Sequence, residues 1–316
     1  MKISGFSMVK NGYKLYYPIK EAIQSILPIV DEFVIAVGDC DEDDKTIEII
    51  EGINSSKIKI IHTKWDLKKY PRGMENAHQT DIAKSACTGD WLFYLQADEV
   101  VHEKYLDVIT KRCEELYEDK EVEGLLFKYK HFWGDYNHYH RAHGWYPYEI
   151  RIVRNDPEIH SWESAQSFRR IPGFDMLNYR QKEGTYKLNV ALVDAEIYHY
   201  GFVRPPDFMQ NKTKALADIH QSRGADEKNK KEFALFDYGP LGKLEKFKET
   251  HPAVMQNKIE SFDWADMLNY TGSDNKKRKE HRHERFKNRF MTLIENTFFG
   301  GEEILGFKNY NLLKNK

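Results

Sequence analysis

The chain has little cysteine, no long apolar run, no glycine-rich phosphate loop and almost no net charge. Each shortage removes a class of protein. Its three cysteines, Cys40, Cys87 and Cys113, stand far apart. That spacing fits neither a zinc site nor a disulfide framework and suits a reducing compartment. No stretch of eighteen apolar residues occurs, so no transmembrane helix is expected. Met1-Lys2 runs straight into strand-like sequence with no signal peptide in view. A soluble, cytoplasmic protein is the resulting expectation. The formal net charge of −2 argues against a nucleic-acid binder. Residues 4–12 hold only Gly5 and Gly12, so a Walker or dinucleotide-type cradle is missing. A diphosphate would then need a metal ion or basic side chains. Arg72, in Lys68-Lys69-Tyr70-Pro71-Arg72-Gly73, is a candidate partner, beside its plainer reading as a surface arginine.

What the chain does have is an alternation of short apolar runs with helical patterns. Residues 2–9, 31–37 and 57–62 read as strands. Between them, residues 18–27 carry apolar side chains at helical spacing behind Pro18, and a second helix runs to about Glu51. A helix from Asn76 to Ala86 leads to a further strand at Trp91, then a helix over 103–117 and a strand over 123–130. A β-α-β-α-β series of this kind implies right-handed crossovers and a parallel sheet. With 41% hydrophobic residues the chain can bury a large core around it.

The stretch Gly89-Asp90-Trp91-Leu92-Phe93-Tyr94-Leu95-Gln96-Ala97-Asp98-Glu99 is central. An aromatic-rich strand, buried on both faces, ends there in acids. Asp98 and Glu99 would sit at the mouth of the sheet, where open α/β folds bind ligands. A hard cation that also holds phosphates takes one or two carboxylates from the protein. The plain alternative is that both acids simply open the next helix. At the tip of the second strand, Asp39 leads an acid-rich loop over 39–46, either to hydrogen-bond a base or ribose or to cap the helix that follows.

Several pieces together resemble bacterial glycosyltransferase family 2, whose members adopt the GT-A fold. They are residues 3–11, Val37 to Thr46, Gln79 to Glu99, Arg151-Ile152-Val153-Arg154-Asn155 and Ile197-Tyr198-His199-Tyr200-Gly201-Phe202. The resemblance implies an α/β fold with a mostly parallel, Rossmann-like sheet flanked by helices. It implies an enzyme of the hexosyltransferase kind, using a UDP- or GDP-linked sugar with Mn2+ or Mg2+, inverting at the anomeric carbon. Asp39 would contact the nucleoside. Gln96-Ala97-Asp98 would stand where the family has its DxD motif, with Asp98 and His199 as metal ligands and Glu99 in support. Read alone, His199 is better explained by a buried ring bonded to backbone, and the ligand role comes only with the resemblance. Two departures stand out: Gln96 replaces the first Asp, and Asp81 replaces an Asn. Loss of a charged ligand would weaken the hold on a hard cation.

Inverting transfer needs a carboxylate to take the acceptor's proton. Asp135, Glu149 and Glu163 are the candidates, and Glu163 is preferred for its place after the Arg151–Asn155 segment. Residues 131–148 hold four histidines among many rings. No His-Glu-x-x-His order supports zinc, so an aromatic loop over the sugar or a packed loop is expected. The domain expectation is a GT-A unit over 1–220, with a nucleotide-sugar half to 130 and an acceptor half after it. A mainly helical extension over 221–316 follows. Lys212 and Lys214 lie on a helix after Pro205, residues 222–232 read as a charged loop, and 276–289 are strongly basic. That basic run reads as a solvated helix face or as a peripheral contact with an anionic membrane or glycan. Phe286, Phe290, Leu293, Ile294 and Phe298 suggest an amphipathic last helix. The expected partners are a nucleotide-sugar donor and a glycan or lipid-linked acceptor. The rivals are a sugar-phosphate nucleotidyltransferase, which should carry the missing glycine loop, and a binding protein that kept the fold without the chemistry.

Overall fold

The computed structural model describes residues 1–140, 142–220, 235–274, 278, 280–299, 303–304, 306–314 and 316. The charged stretch 222–232 and positions 276, 277 and 279 of the basic run lie outside these residues.

The first half follows the alternation read from sequence. Strand β1 (Ile3–Val9), helix α1 (Ile19–Ile26), β2 (Glu32–Val37), α2 (Thr46–Glu51), β3 (Ile58–His62), α3 (Met74–Ser85) and β4 (Trp91–Tyr94) come in that order. They build a parallel block in spatial order β3-β2-β1-β4. Parallel neighbours need crossovers, which α1, α2 and α3 supply. Gly89 is required here by close approach: a Cβ would stand 2.7 Å from the Ser4 amide, where β1 and β4 begin side by side.

The acids Asp98 and Glu99 do not open a helix, and the helix expected over 103–117 follows a few residues later. A short strand β5 (Glu99–Val101) intervenes before α4 (Leu106–Glu115). Next come β6 (Gly124–Trp133), β7 (His138–His140), β8 (Tyr148–Arg154), β9 (Ile159–Trp162), β10 (Ser167–Arg170) and the long β11 (Tyr186–Phe202). Strand β8 inserts antiparallel between β4 and β6, and β11 pairs parallel with β6. The fold is thus the expected α/β type, its parallel block widened on one side by antiparallel strands. After helix α5 (Pro206–His220) the extension holds β12 (Glu245–Lys246), α6 (Gln256–Glu260), α7 (Phe286–Phe298) and β13 (Tyr310–Leu312), which pairs with β11.

The core lies on both faces of the sheet. One layer packs Ile19, Ile23 and Ile26 of α1 and Ile109 and Cys113 of α4 onto Phe33, Ile35 and Phe93. The other packs Ala83 of α3 and Phe168 onto Phe6, Val34 and Tyr94. Each such aliphatic or aromatic side chain contributes about 1.5–3 kcal/mol on burial. Residues after 235 pack on this sheet through two aromatic clusters, one around Phe132, Tyr200 and Trp264 and one around Trp133, Tyr238 and Leu241. Among the described residues no helix is long and apolar enough to cross a membrane.

Candidate active site

A cavity of about 500 Å³ opens at the C-terminal ends of β1 and β4. Strand register brings its reactive wall together. Antiparallel pairing of β5 with β11 sets Glu99 opposite His199, and the Tyr200 amide donates to the Asp98 carbonyl at 2.8 Å. Residues 98 and 199, a hundred positions apart, therefore face each other across one edge. Helix α5 then lays Lys212 over both.

The Asp98 carboxylate is buried and lines the cavity. Its Oδ2 accepts from Lys212 Nζ at 2.8 Å, and its Oδ1 stands 3.7 Å from His199 Nε2. Burial alone would raise this acid. Lys212, His199 and Arg204 instead hold it well below the usual carboxylate range. Lys212 also donates to the Gly201 carbonyl at 2.9 Å, and burial, helped by Arg204, brings its ammonium down to about 8. A Cβ at Gly201 would collide with His199 Nε2 and crowd Asp98 Oδ2, so only glycine leaves the space between them open.

A histidine pair fixes which atom of His199 faces that space. Burial takes His199 down to about 4 and His131 to about 3, so both rings are neutral near pH 7. His131 Nε2 lies 2.9 Å from the Tyr146 carbonyl, which can only accept, so this nitrogen carries the hydrogen. His131 Nδ1, left with a lone pair, accepts from His199 Nδ1 at 3.0 Å. His199 Nε2 is then unprotonated and turned toward Asp98. A neutral imidazole nitrogen held this way through its other nitrogen is the usual form of a metal-binding histidine. Asp98 Oδ1 and His199 Nε2 therefore fit a divalent cation that takes its other ligands from phosphate and water. Among the described residues no group of three or more His, Cys, Asp or Glu is placed to hold a metal. The four histidines of 131–143 go to separate partners: His138 to Asp135, His143 to Glu295, His131 to His199, and His140 against His283.

Glu99 is wholly buried and holds the loop before it in place. It forms a two-point ion pair with Arg151, both contacts at 2.8 Å, accepts from Tyr129 Oη at 2.8 Å and from the Gln96 amide at 3.0 Å. Gln96 and Ala97 line the cavity, with Gln96 Nε2 donating to the Ala165 carbonyl at 2.9 Å. Glu99→Gln leaves the Arg151 guanidinium buried without its counter-charge, which costs about 3–5 kcal/mol. A drop in melting temperature of about 6 °C or more is expected, and a melt within 2 °C of the parent (about 1 kcal/mol or less) would show the pair to be dispensable.

Asp39 stands at the tip of β2 but outside the lining. It accepts from Lys10 Nζ at 2.8 Å and from the Trp65 amide at 3.0 Å, and those two residues do line the cavity. Arg72 is exposed, with a φ of 59°, and does not reach the wall. Glu163, with a φ of 57°, stands next to cavity-lining Ser164, while its own carboxylate lies 3.9 Å from Arg180. Asp135 is bound to the Asn137 and His138 amides and the His138 ring, a loop-fastening role. Glu149 is partly buried, and burial pushes its acid up to about 7. Asp81 accepts from His160 Nδ1 and the Ser161 amide at 2.8 Å, joining α3 to β9.

Sequence reasoning passed over Trp65, Asn76 and Asp218, all in the lining. Among the described residues Trp65 Nε1 and Asn76 Oδ1 are buried without a partner, a donor and an acceptor left for a ligand at this end. No motif marks them, because both are placed by how α3 and the loop before it fold over β2.

No protein-family model matches the chain, and no curated protein does. Among solved structures, a 1–349 piece of S. aureus TarS in complex with UDP-GlcNAc is 17% identical with a TM-score of 0.39, over 69% of this chain and 66% of that one. Against a longer TarS structure, the match spans 39% of that chain. The mannosyltransferase PcManGT of Pyrobaculum calidifontis, in complex with GDP-Man and Mn2+, is 15% identical with a TM-score of 0.31, over 39% of this chain and 34% of that one. Glucosyl-3-phosphoglycerate synthase of Mycobacterium tuberculosis, with Mg2+ and UDP, is 15% identical with a TM-score of 0.28, over 40% and 43%. Likenesses this remote carry no argument about the chemistry, which rests on the residues above.

Proposed function

We propose that the chain is a glycosyltransferase that moves a sugar from a nucleotide-sugar donor to an acceptor hydroxyl, with inversion at the anomeric carbon. The observation that supports this most is the grouping of Asp98, His199 and Lys212 in one wall of the cavity at the strand ends. A carboxylate, an unprotonated imidazole and a buried ammonium together suit a donor diphosphate and its cation better than they suit a neutral ligand. Asp98 and His199 would hold Mn2+ or Mg2+, which when bound offsets negative charge on the departing diphosphate. Lys212 adds a second positive charge there. The base and ribose lie toward Trp65, Asn76 and Lys10, with Asp39 orienting Lys10 and the Trp65 backbone.

In the transfer itself the acceptor oxygen forms the new bond to the anomeric carbon as the bond to the diphosphate oxygen breaks. That bond's electron pair leaves with the nucleoside diphosphate. The hydroxyl proton goes to a carboxylate, for which we keep Glu163, with Asp218 as the other acid beside the cavity. The sugar and acceptor fill the side bounded by Trp145, Tyr146 and Gln166. We retain the division into a nucleotide half, an acceptor half and an extension after 220 on the same footing, and place the activity in the cytoplasm.

A screen of UDP-, GDP-, CMP- and dTDP-linked sugars with Mn2+ tests this. One donor is expected to raise the melting temperature and to be hydrolysed or transferred. Glu163→Gln should lower turnover about 10²–10⁴-fold while leaving the donor's thermal shift in place, and the same result for Asp218→Asn instead would move the base. Failure of every donor to bind would overturn the reading, and binding without turnover would favour a sugar-nucleotide binding protein.

A further inference from the structure

Helix α7 is built inside out. Its inward side is polar: buried Glu295 accepts from His143 Nδ1 at 2.7 Å and from the Ile304 amide at 2.9 Å, and Thr292 Oγ1 accepts from the His143 amide at 2.8 Å. Its outward side is apolar. Phe286 is 82% exposed, Leu293 62% and Phe290 52%. A helix held to its own protein by polar contacts, with its rings in water, presents a face that something apolar should cover. Beside that stripe Arg285, Lys287 and Arg289 are exposed, and none is within ion-pair distance of a carboxylate among the described residues.

Beneath the stripe lies a second cavity of about 550 Å³, separate from the first. Lys243 and Arg289 stand at its mouth, and His140 and His283 line its inner side. Both rings are more than nine-tenths buried. Among the described residues the two nitrogens of His140 and Nδ1 of His283 have no hydrogen-bond partner. Buried polar atoms left without partners point to a ligand group that supplies them.

We propose that this face docks on an anionic lipid surface: the α7 rings enter the acyl boundary, and the cavity takes a phosphate head group. Apolar side chains flanked by unpaired cations match such a surface in both respects. A second copy of the chain would cover the rings, but in a two-fold contact it would bring the same cationic surface from both copies into one interface, with Arg285, Lys287 and Arg289 contributed twice. The inference does not depend on the sugar-transfer reading. It does carry a geometric consequence for it, because the 143–146 segment runs from the α7 contact at His143 to Trp145 and Tyr146 in the first cavity.

The test is sedimentation of the full chain with vesicles of phosphatidylcholine alone and of phosphatidylcholine mixed with phosphatidylglycerol. Binding is expected only to the mixed vesicles, weakening as salt is raised. Phe286→Asp with Leu293→Asp should abolish it while leaving the melting curve unchanged, since both side chains face solvent. Lys243→Glu and Arg289→Glu should each lower affinity about fivefold or more. Absence of binding to mixed vesicles, equal binding to both kinds, or binding untouched by the Asp pair would overturn the proposal. So would a stable dimer in solution that the Asp pair dissociates.

Discussion

Replacing Asp98 by Asn is expected to lower sugar transfer by about 10²–10³-fold, the size of effect seen when one charge-stabilising group is lost at a reacting centre. The shape is nearly kept, so the loss would report charge. Asn presents one neutral oxygen where two carboxylate oxygens now serve Lys212 and face His199. The metal-dependent part of the donor's thermal shift should go with it. The variant also unpairs Lys212, a buried ammonium, at a cost of order 3–5 kcal/mol if the charge were kept. Because burial already brings that ammonium down to about 8, much of the strain can be relieved by losing the proton. Two consequences separate stability from function. Asp98→Asn with Lys212→Met should recover the melting temperature lost in the single variant, because no unpaired charge is left inside. Transfer should not recover. Full activity in Asp98→Asn would remove the carboxylate from the site altogether.

The second large effect is on stability below neutral pH. Among the described residues burial holds nine histidines below their ordinary value, among them His131 at about 3 and His199, His251 and His283 at about 4. In the unfolded chain each takes a proton near pH 6.5. Between 6.5 and about 4 the unfolded state therefore binds protons that the folded state refuses. Stability is complete above about 6.5 and is lost as pH falls toward 4, by up to about 1.4 kcal/mol per pH unit for each ring. Glu149 acts in the opposite sense. Its acid is raised to about 7, so its contribution is present below about 4.5 and lost as pH rises through 7. The melting temperature at pH 5 should lie about 10 °C or more below that at pH 7.5. His251→Gln, at a ring outside the first cavity bonded to Tyr200 Oη at 2.7 Å, should make that decline shallower. A flat profile across this window would mean the rings accept protons inside the fold.

The parallel block was legible because its signals are local. Apolar runs at 3–9, 32–37 and 91–94 alternate with helical spacing, and turn residues separate them. Asp98 was legible for the same reason, as an acid ending a run of Trp, Leu, Phe and Tyr. His199 needed the resemblance, since nothing near it in sequence points to residue 98, and only the pairing of β5 with β11 brings the two together. The direction of the α7 rings was not legible at all. Apolar spacing marks a stripe but not which way it faces, and buried Glu295, with its bond to His143, turns the stripe outward. Strand β5 was missed because three residues are too few for a periodicity, and Asp39 fell short of the cavity because Lys10 and Trp65 stand in front of it.

In the proposed function Asp98 and His199 meet the diphosphate of a sugar nucleotide inside the cavity at the ends of β1 and β4. A crystal grown with Mn2+ and the nucleoside diphosphate chosen by the donor screen tests it most directly, through the anomalous signal of the metal. One manganese peak is expected, bonded to the Asp98 carboxylate and His199 Nε2 and shared with phosphate oxygens, with Lys212 moved onto the diphosphate. A nucleotide bound elsewhere, with Lys212 still closed on Asp98, would contradict it.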